Sequence, residues 1–284
     1  MKIIRAKTYG VCMGVKRALE LVENSIEAKP EGGVCTVGPL IHNRRVLEQL
    51  ESRGVCIISG PEEVSEGAVI IRAHGIALAA QKAFRGKNIE LIDGTCPKVN
   101  KSQKMAADKS AEGFHVILAG DPGHGEVVAV AGYAEECTVV SSAEDVRELE
   151  LTGDTFLMCQ TTFREDKFDK ILEVLKDKAN TAGFKVEFER TVCPATVVRQ
   201  NAVKDLAAEV DAVLVIGGKT SANTTRLFHI ASESGKPSWH IEGADDVPPE
   251  IIGYNTIGIT AGASAPDWIV EEVEAKLHIL SKGE

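Results

Sequence analysis

No apolar run in this chain approaches the eighteen or so residues needed to cross a bilayer, so no membrane span is expected. The opening MKIIRAKTYG reads as a first strand and lacks the apolar centre of a secretion signal, which points to a soluble cytoplasmic protein. Positive charge is not in excess: 32 Lys and Arg stand against 42 Asp and Glu, a net −10. A general nucleic-acid binder would carry a basic face; that class is excluded, while a small local basic pocket is not. No CxxC pair occurs, which removes the usual structural zinc arrangement. The nucleotide loops GxxxxGK[ST] and GxGxxG are missing too, since GKTSANTTRL and GDPGHGE both fail their patterns.

What the chain does have is ordinary globular composition, 44% hydrophobic and 26% charged over 284 residues, and a regular alternation. Short apolar runs such as VILAG (116–120), VLVIG (213–217) and IGITAG (257–262) read as strands. Between such runs lie helix-length amphipathic segments, among them GVKRALELVENSIEA, NRRVLEQLESRG and DKFDKILEVLKDKANTAG. The last places Phe168, Ile171, Leu172 and Leu175 on one face at helical period. Alternating βα units imply an α/β protein with parallel sheets covered by helices.

A longer period lies over this one. Cys12, Cys96 and Cys193 sit in turn contexts rich in Gly, Thr and Pro, two of them directly before proline, as in DGTCPKV and RTVCPAT. His42 follows Cys12 by 30 residues, His124 follows Cys96 by 28, and Ser221 follows Cys193 by 28. Each ends an apolar run that leads through glycine into a polar loop and a helix. A second loop follows in each copy, with His74, Thr161 and Ser264 at 62, 65 and 71 residues from the same cysteines. The chain therefore reads as three similar small α/β domains. Residues 1–12 carry the first strand and first cysteine, and the domains run 13–96, 97–193 and 194–284. Functional groups in parallel sheets gather beyond the carboxyl ends of strands. A pseudo-three-fold cloverleaf would turn all these loops to one central site; a linear row of domains also fits the repeats but leaves the thiols unconnected.

In a cytoplasmic chain a disulfide framework is not expected. Cys35, Cys56, Cys137 and Cys159 lie in or beside apolar strand-like runs and read as small buried hydrophobes. The three turn cysteines invite a different chemistry. Three thiolates from three repeats suit an iron–sulfur cluster better than zinc, although a Cys₃ zinc site with an open position remains possible. On a four-iron cube they leave one iron open to bind substrate as a Lewis acid and to pass electrons. His42, His74, His124, Thr161, Ser221, Asn223 and Ser264 are neutral or weakly basic donors, several where helices begin, and they suit a diphosphate or similar anion. Ser221 or Asn223 is the N-cap candidate of its helix. Glu126, two residues after His124, would be pushed toward its protonated form beside a dianion, as a proton donor requires. His115, His229, His240 and His278 stand outside these loops and read as structural or surface residues. Two rivals stay open: a phosphate-binding protein or hydrolase with a Cys₃ zinc site, and a partner-binding scaffold without chemistry.

YGVCMGVKRAL, GPLIHN, RAHG, DGTCPKV, GHGEV, QTT, TVCPAT, TSANTTRL and TAGASAPD, taken together and in this order, resemble the 4-hydroxy-3-methylbut-2-enyl diphosphate reductases, the IspH or LytB family. The resemblance covers nearly the whole chain. It implies the cloverleaf of three α/β domains, and one [4Fe–4S] cluster held by Cys12, Cys96 and Cys193 with an open fourth iron. It implies the last step of the non-mevalonate isoprenoid pathway, in which an allylic diphosphate loses its hydroxyl by two-electron reduction. His42, His74, His124, Ser221, Asn223 and Ser264 would hold the diphosphate. Thr161 would lie near the substrate hydroxyl, and Glu126 and His124 would serve the proton relay. Ferredoxin or flavodoxin would supply electrons; neither nucleic acid nor membrane is implied as partner. A lid motion is also implied, for which Gly217, Gly218 and Gly262 offer hinge freedom. One departure shows: members often carry two serines before the asparagine, and here the second is Ala222.

Overall fold

The computed structural model describes residues 1–282. In chain order the strands are β1 (Lys2–Arg5), β2 (Val34–Val37), β3 (Val55–Ile58), β4 (Ala68–Ile71), β5 (Glu90–Asp93) and β6 (His115–Ala119), then β7 (Cys137–Val140), β8 (Thr155–Cys159), β9 (Val186–Phe188), β10 (Ala212–Ile216), β11 (Ser238–Ile241) and β12 (Thr256–Ala261). The α-helices are α1 (Met13–Ala28), α2 (Arg44–Ser52), α3 (Leu78–Phe84), α4 (Pro97–Ala111) and α5 (Gly125–Ala131), then α6 (Ala143–Glu148), α7 (Glu165–Ala182), α8 (Pro194–Glu209), α9 (Ala222–Glu233) and α10 (Asp267–Lys282). No helix among the described residues is long and apolar enough to cross a membrane.

All strand pairs are parallel, in three four-stranded sheets ordered β3-β2-β4-β5, β7-β6-β8-β9 and β1-β12-β10-β11. The first two share one pattern: the chain enters at an inner strand, steps out to one edge, returns to the other inner strand and finishes at the far edge. The last sheet has the same pattern, with β10, β11 and β12 in the first three places. Its fourth place goes to β1, which pairs Lys2–Arg5 with Thr256–Ile259.

By contact density the chain forms two compact units. One comprises residues 1–16, 41–49 and, of the described residues, 194–282; the other comprises 17–40 and 50–193. In the first, β10 reads AVLVI because both its faces are covered. Leu214 and Ile216 meet Ile269, Val270, Val273 and Leu277 of α10, while Val213 and Val215 meet Val203 and Leu206 of α8 and Leu227 of α9. In the second unit, Val116 and Leu118 pack with Phe156, Met158, Val99 of α4 and Val127 of α5. The stripe Phe168, Ile171, Leu172 and Leu175 of α7 is buried as its period requires. Gly183, at φ +77°, ends that helix in the left-handed conformation that glycine adopts without a Cβ clash.

Two cysteines depart from expectation. Cys35 and Cys56 face each other in register across β2 and β3, their Cα atoms 4.4 Å apart, and they form a disulfide. Cys35 is buried, but Cys56 is exposed on the edge strand, so it is no core hydrophobe. Cys159 is buried as expected, and Cys137 is partly buried. Burial pushes both thiols up, to about 11 and about 12 respectively, so they stay protonated.

Candidate active site

Each cysteine of the turn set stands at the start of a helix, past the end of the sheet's outer strand. Cys96 and Cys193 are followed by Pro97 and Pro194 at the first helical position, where the missing N–H costs nothing and φ is already helical. The carbonyls of Cys12 and Cys96 accept the first helical hydrogen bonds, from the N–H of Lys16 and of Asn100, both at 2.9 Å. The backbone N–H of each cysteine reaches sideways to the loop after the neighbouring inner strand. Cys12 donates to Ala263 O (3.1 Å), Cys96 to Ala73 O (3.0 Å) and Cys193 to Thr161 O (2.9 Å). The three acceptors belong to the loops of Ser264, His74 and Thr161. The same bond thus recurs in all three repeats and fastens each thiol to a loop carrying a candidate ligand.

The other loops also follow from topology. In each sheet the chain leaves one inner strand for one edge and returns on the other inner strand. The crevice between these two strands, at their carboxyl ends, is where open α/β sheets bind ligands. His42 and His74 follow β2 and β4, His124 and Thr161 follow β6 and β8, and Ser221 and Ser264 follow β10 and β12.

Within the first unit, Cys12, His42, Ser221, Asn223 and Ser264 are brought together by their loops. Ser264 Oγ donates to His42 O at 3.0 Å, and Asn43 Nδ2 returns a bond to Ser264 O at 2.9 Å. Gly218 lies against the His42 carbonyl, where a Cβ would collide. Ser221 is the N-cap of α9, accepting from the Thr224 N–H at 3.3 Å, and Ala222 is the first helical residue. Asn223 and Thr224 are buried, with Asn223 Nδ2 and Thr224 Oγ1 lacking a hydrogen-bond partner. Gly217 and Gly262 both lie against the Thr224 side chain. These glycines therefore serve close packing, which the expectation of hinge freedom did not anticipate.

Within the second unit, Cys96, His74, His124, Glu126, Thr161 and Cys193 form a continuous chain of contacts. The His74 and His124 rings meet edge to face, centroids 5.3 Å apart. His124 caps α5, its Nδ1 accepting from the Glu126 N–H at 3.2 Å. Glu126, 3% exposed, turns inward, and its carboxylate accepts from Thr161 N–H (2.6 Å) and Thr161 Oγ1 (2.7 Å). Thr161 O accepts in turn from Cys193 N–H. A proton on this carboxylate has a hydroxyl waiting at hydrogen-bond distance.

Sequence reasoning missed the residues that fix these loops. Asn43, inside GPLIHN, ties two of them. Buried Arg199 donates to Gly10 O at 2.9 Å, two residues before Cys12. Arg17 donates to Asp93 O (2.9 Å) and Thr95 O (3.2 Å), bracing the approach to Cys96. Thr191 Oγ1 accepts from Cys159 N–H (2.8 Å) just before Cys193. Of the four histidines set aside, buried His115 bonds Thr138 (2.8 Å) and His240 bonds Gly217 O (2.9 Å), as structural residues do.

A sequence model of the LytB protein family matches residues 3–278. Curated 4-hydroxy-3-methylbut-2-enyl diphosphate reductases are similar along their whole length. That of Treponema denticola is 42% identical, covering 98% of this chain and 99% of the relative; that of Aquifex aeolicus is 38% identical, covering 99% and 98%. Among solved structures, the Plasmodium falciparum E-1-hydroxy-2-methyl-but-2-enyl-4-diphosphate reductase superimposes with a TM-score of 0.88 at 26% identity, covering 98% of this chain and 87% of that one. A second, described as the terminal enzyme of the non-mevalonate pathway, gives 0.70 at 38% identity, covering 98% and 99%. With matches of this extent, and with the recurring cysteine and loop pattern on its three sheets, the chain belongs to the LytB family, the iron–sulfur 4-hydroxy-3-methylbut-2-enyl diphosphate reductases.

Proposed function

We propose that Cys12, Cys96 and Cys193 hold one [4Fe–4S] cluster with an open iron, and that the flanking loops bind the substrate diphosphate and deliver protons. The chain reduces (E)-4-hydroxy-3-methylbut-2-enyl diphosphate to isopentenyl and dimethylallyl diphosphates, the last step of the non-mevalonate pathway. Two electrons and two protons enter, the allylic C–O bond breaks, and water leaves. The observation that carries the cluster assignment is the threefold bond from cysteine N–H to ligand loop. The donor set fits as well: Cys12, Cys96 and Cys193 lie outside any disulfide and none of them is buried, whereas Cys35 and Cys56 are bonded to each other. When bound, the cluster supplies the electrons and a Lewis-acidic iron for the substrate hydroxyl.

The chain's own residues do the rest. His42, His74, His124, Ser221, Asn223 and Ser264 hold the diphosphate as hydrogen-bond donors. The buried, unmatched Nδ2 of Asn223 supports this reading, because an orphaned buried donor costs free energy that an anion restores. Ala222 offers no hydroxyl to the anion, so this contact is absent, while its backbone N–H at the first helical position remains available. Glu126, in protonated form, donates through Thr161 Oγ1, 2.7 Å away, toward the departing oxygen. Each of the three repeats is one domain of the 13–96, 97–193 and 194–284 division, the last completed by residues 1–12. A ferredoxin or flavodoxin in the cytoplasm delivers the electrons.

Anaerobic purification with iron and sulfide counting tests the cluster. Cys12→Ser, Cys96→Ser and Cys193→Ser are each expected to lose the brown colour and most of the iron, while Cys137→Ser and Cys159→Ser keep both. A colourless wild type that retains zinc would favour the Cys₃ zinc rival instead.

A further inference from the structure

Arg72 belongs to RAHG, the segment that carries His74, yet the reading above gives it no role. Its surroundings are unusual for an arginine of this chain. Arg5, Arg45, Arg53, Arg164 and Arg190 each lie against a carboxylate: Glu274, Glu272, Glu23, Asp166 and Asp169. Arg72 meets no carboxylate among the described residues. Its one protein hydrogen bond is long, from Nε to Gly75 O at 3.4 Å. The guanidinium is largely withdrawn from water, and burial alone lowers its pKa.

The slot that holds it is lined by backbone. A Cβ built on Gly125 would come within 2.6 Å of Nη2, and one on Gly38 within 2.7 Å of Nη1. Glycine at both positions is what leaves the guanidinium room. Gly125 directly follows His124, Gly38 opens the loop that leads to His42, and Gly75 directly follows His74. Within its unit, Arg72 is therefore framed by the chain beside two candidate histidines of the anion site, His74 and His124. Its four Nη hydrogens have no acceptor among the described residues. A half-buried cation without a counter-ion carries part of its desolvation cost, and that cost is relieved when an anion arrives.

We propose that Arg72 is a further anion-binding residue, a fixed positive charge that the diphosphate of the substrate meets beside His74 and His124. This rests on the diphosphate reading of those loops. It adds a guanidinium to a set otherwise made of imidazoles, hydroxyls and an amide. It also assigns Gly38 and Gly125 the task of keeping the guanidinium in place.

The test uses inorganic pyrophosphate titrated calorimetrically into the cluster-loaded protein, alongside steady-state kinetics with the substrate. Arg72→Gln is expected to weaken pyrophosphate binding about tenfold or more, as loss of a charged hydrogen bond does. It should flatten the salt dependence of binding, and its kinetic loss should fall on KM more than on kcat. Arg72→Lys should recover part of the affinity, because it restores the charge without the planar fork. If Arg72→Gln lowers Tm but leaves pyrophosphate affinity and its salt dependence as in the wild type, Arg72 is a structural clamp and the assignment is overturned. If Arg72→Gln does not fold, Arg72→Met, which keeps an unbranched stem and removes the charge, decides: affinity and salt dependence equal to the wild type, with Tm lowered, again overturn it. A wild-type protein that ignores pyrophosphate overturns the diphosphate reading itself, and the assignment with it.

Discussion

The two compact units carry similar loops on similar sheets but fill them with different chemistry. Around Cys12 the side chains are hydroxyl, amide and imidazole, locked to one another by carbonyl bonds such as Ser264 Oγ to His42 O. That group holds no carboxylate. Around Cys96 and Cys193 a buried carboxylate faces a hydroxyl, and two imidazoles touch. On the proposed reading, the difference is a division of labour on one scaffold. The strand order fixes where a side chain is delivered, and the residue placed there decides between gripping an anion and moving a proton.

That contrast can be broken most forcefully at Glu126. Glu126→Gln keeps the shape and an acceptor but removes the acid, so kcat is expected to fall about a hundredfold or more with KM little changed. Asn223→Ala is the opposite case. Losing a donor to a charged ligand is worth about 1.5–3 kcal/mol, so KM should rise roughly tenfold or more with kcat less affected. If both variants show the same split between kcat and KM, the two groups do not divide their tasks.

A smaller effect probes the packing beneath the first group. A Cβ at Gly262 would fall on the Thr224 hydroxyl, and Thr224 is fully buried. Gly262→Ala should destabilise by about 1–3 kcal/mol in denaturant titration, as overpacking does. Thr224→Ala in the same chain should return part of that loss. The double mutant failing to recover would place the strain elsewhere.

The mildest test concerns Cys159 in the second unit. Its thiol is raised to about 11 by burial from an ordinary value of 9.0. A raised value means that the folded form holds the proton longer than the unfolded chain does. The stability linked to it is complete below pH ~9 and is lost as pH rises toward about 11, by roughly 2 kcal/mol. Cys159→Ala removes that titration, so the stability gap between wild type and variant should narrow across this window. A gap independent of pH would mean that the thiol titrates normally.

Much of this architecture was legible beforehand because it is written in local pattern. The buried stripe of α7 follows from period, and the helix starts at Cys96 and Cys193 follow from the proline after each. Ser221 was one of two cap candidates, and the structure chooses it. Other features needed partners far along the chain. The pairing of Cys35 with Cys56 depends on the register of β2 against β3, and the spacing of 21 residues says nothing of register. Arg199 reads as one more helix charge until its bond to Gly10, 189 residues away, is seen. The half-buried guanidinium of Arg72 looks in sequence like any solvated one.

The place of β1 has a consequence for how the protein is made. Lys2 cannot find Thr256 until some 250 further residues have been synthesised, whereas the sheets of β2–β5 and β6–β9 are complete within contiguous stretches. Pairing across such a span forms slowly, because the intervening loop must close first. On the ribosome, then, the strand at residues 2–5 waits while the middle of the chain folds. Cys12, whose N–H is held by Ala263, becomes the last of the three thiols to be positioned. If these three thiols hold the cluster as proposed, its insertion is on this ordering a late event in biogenesis, closed to a nascent chain whose β12 has not yet emerged.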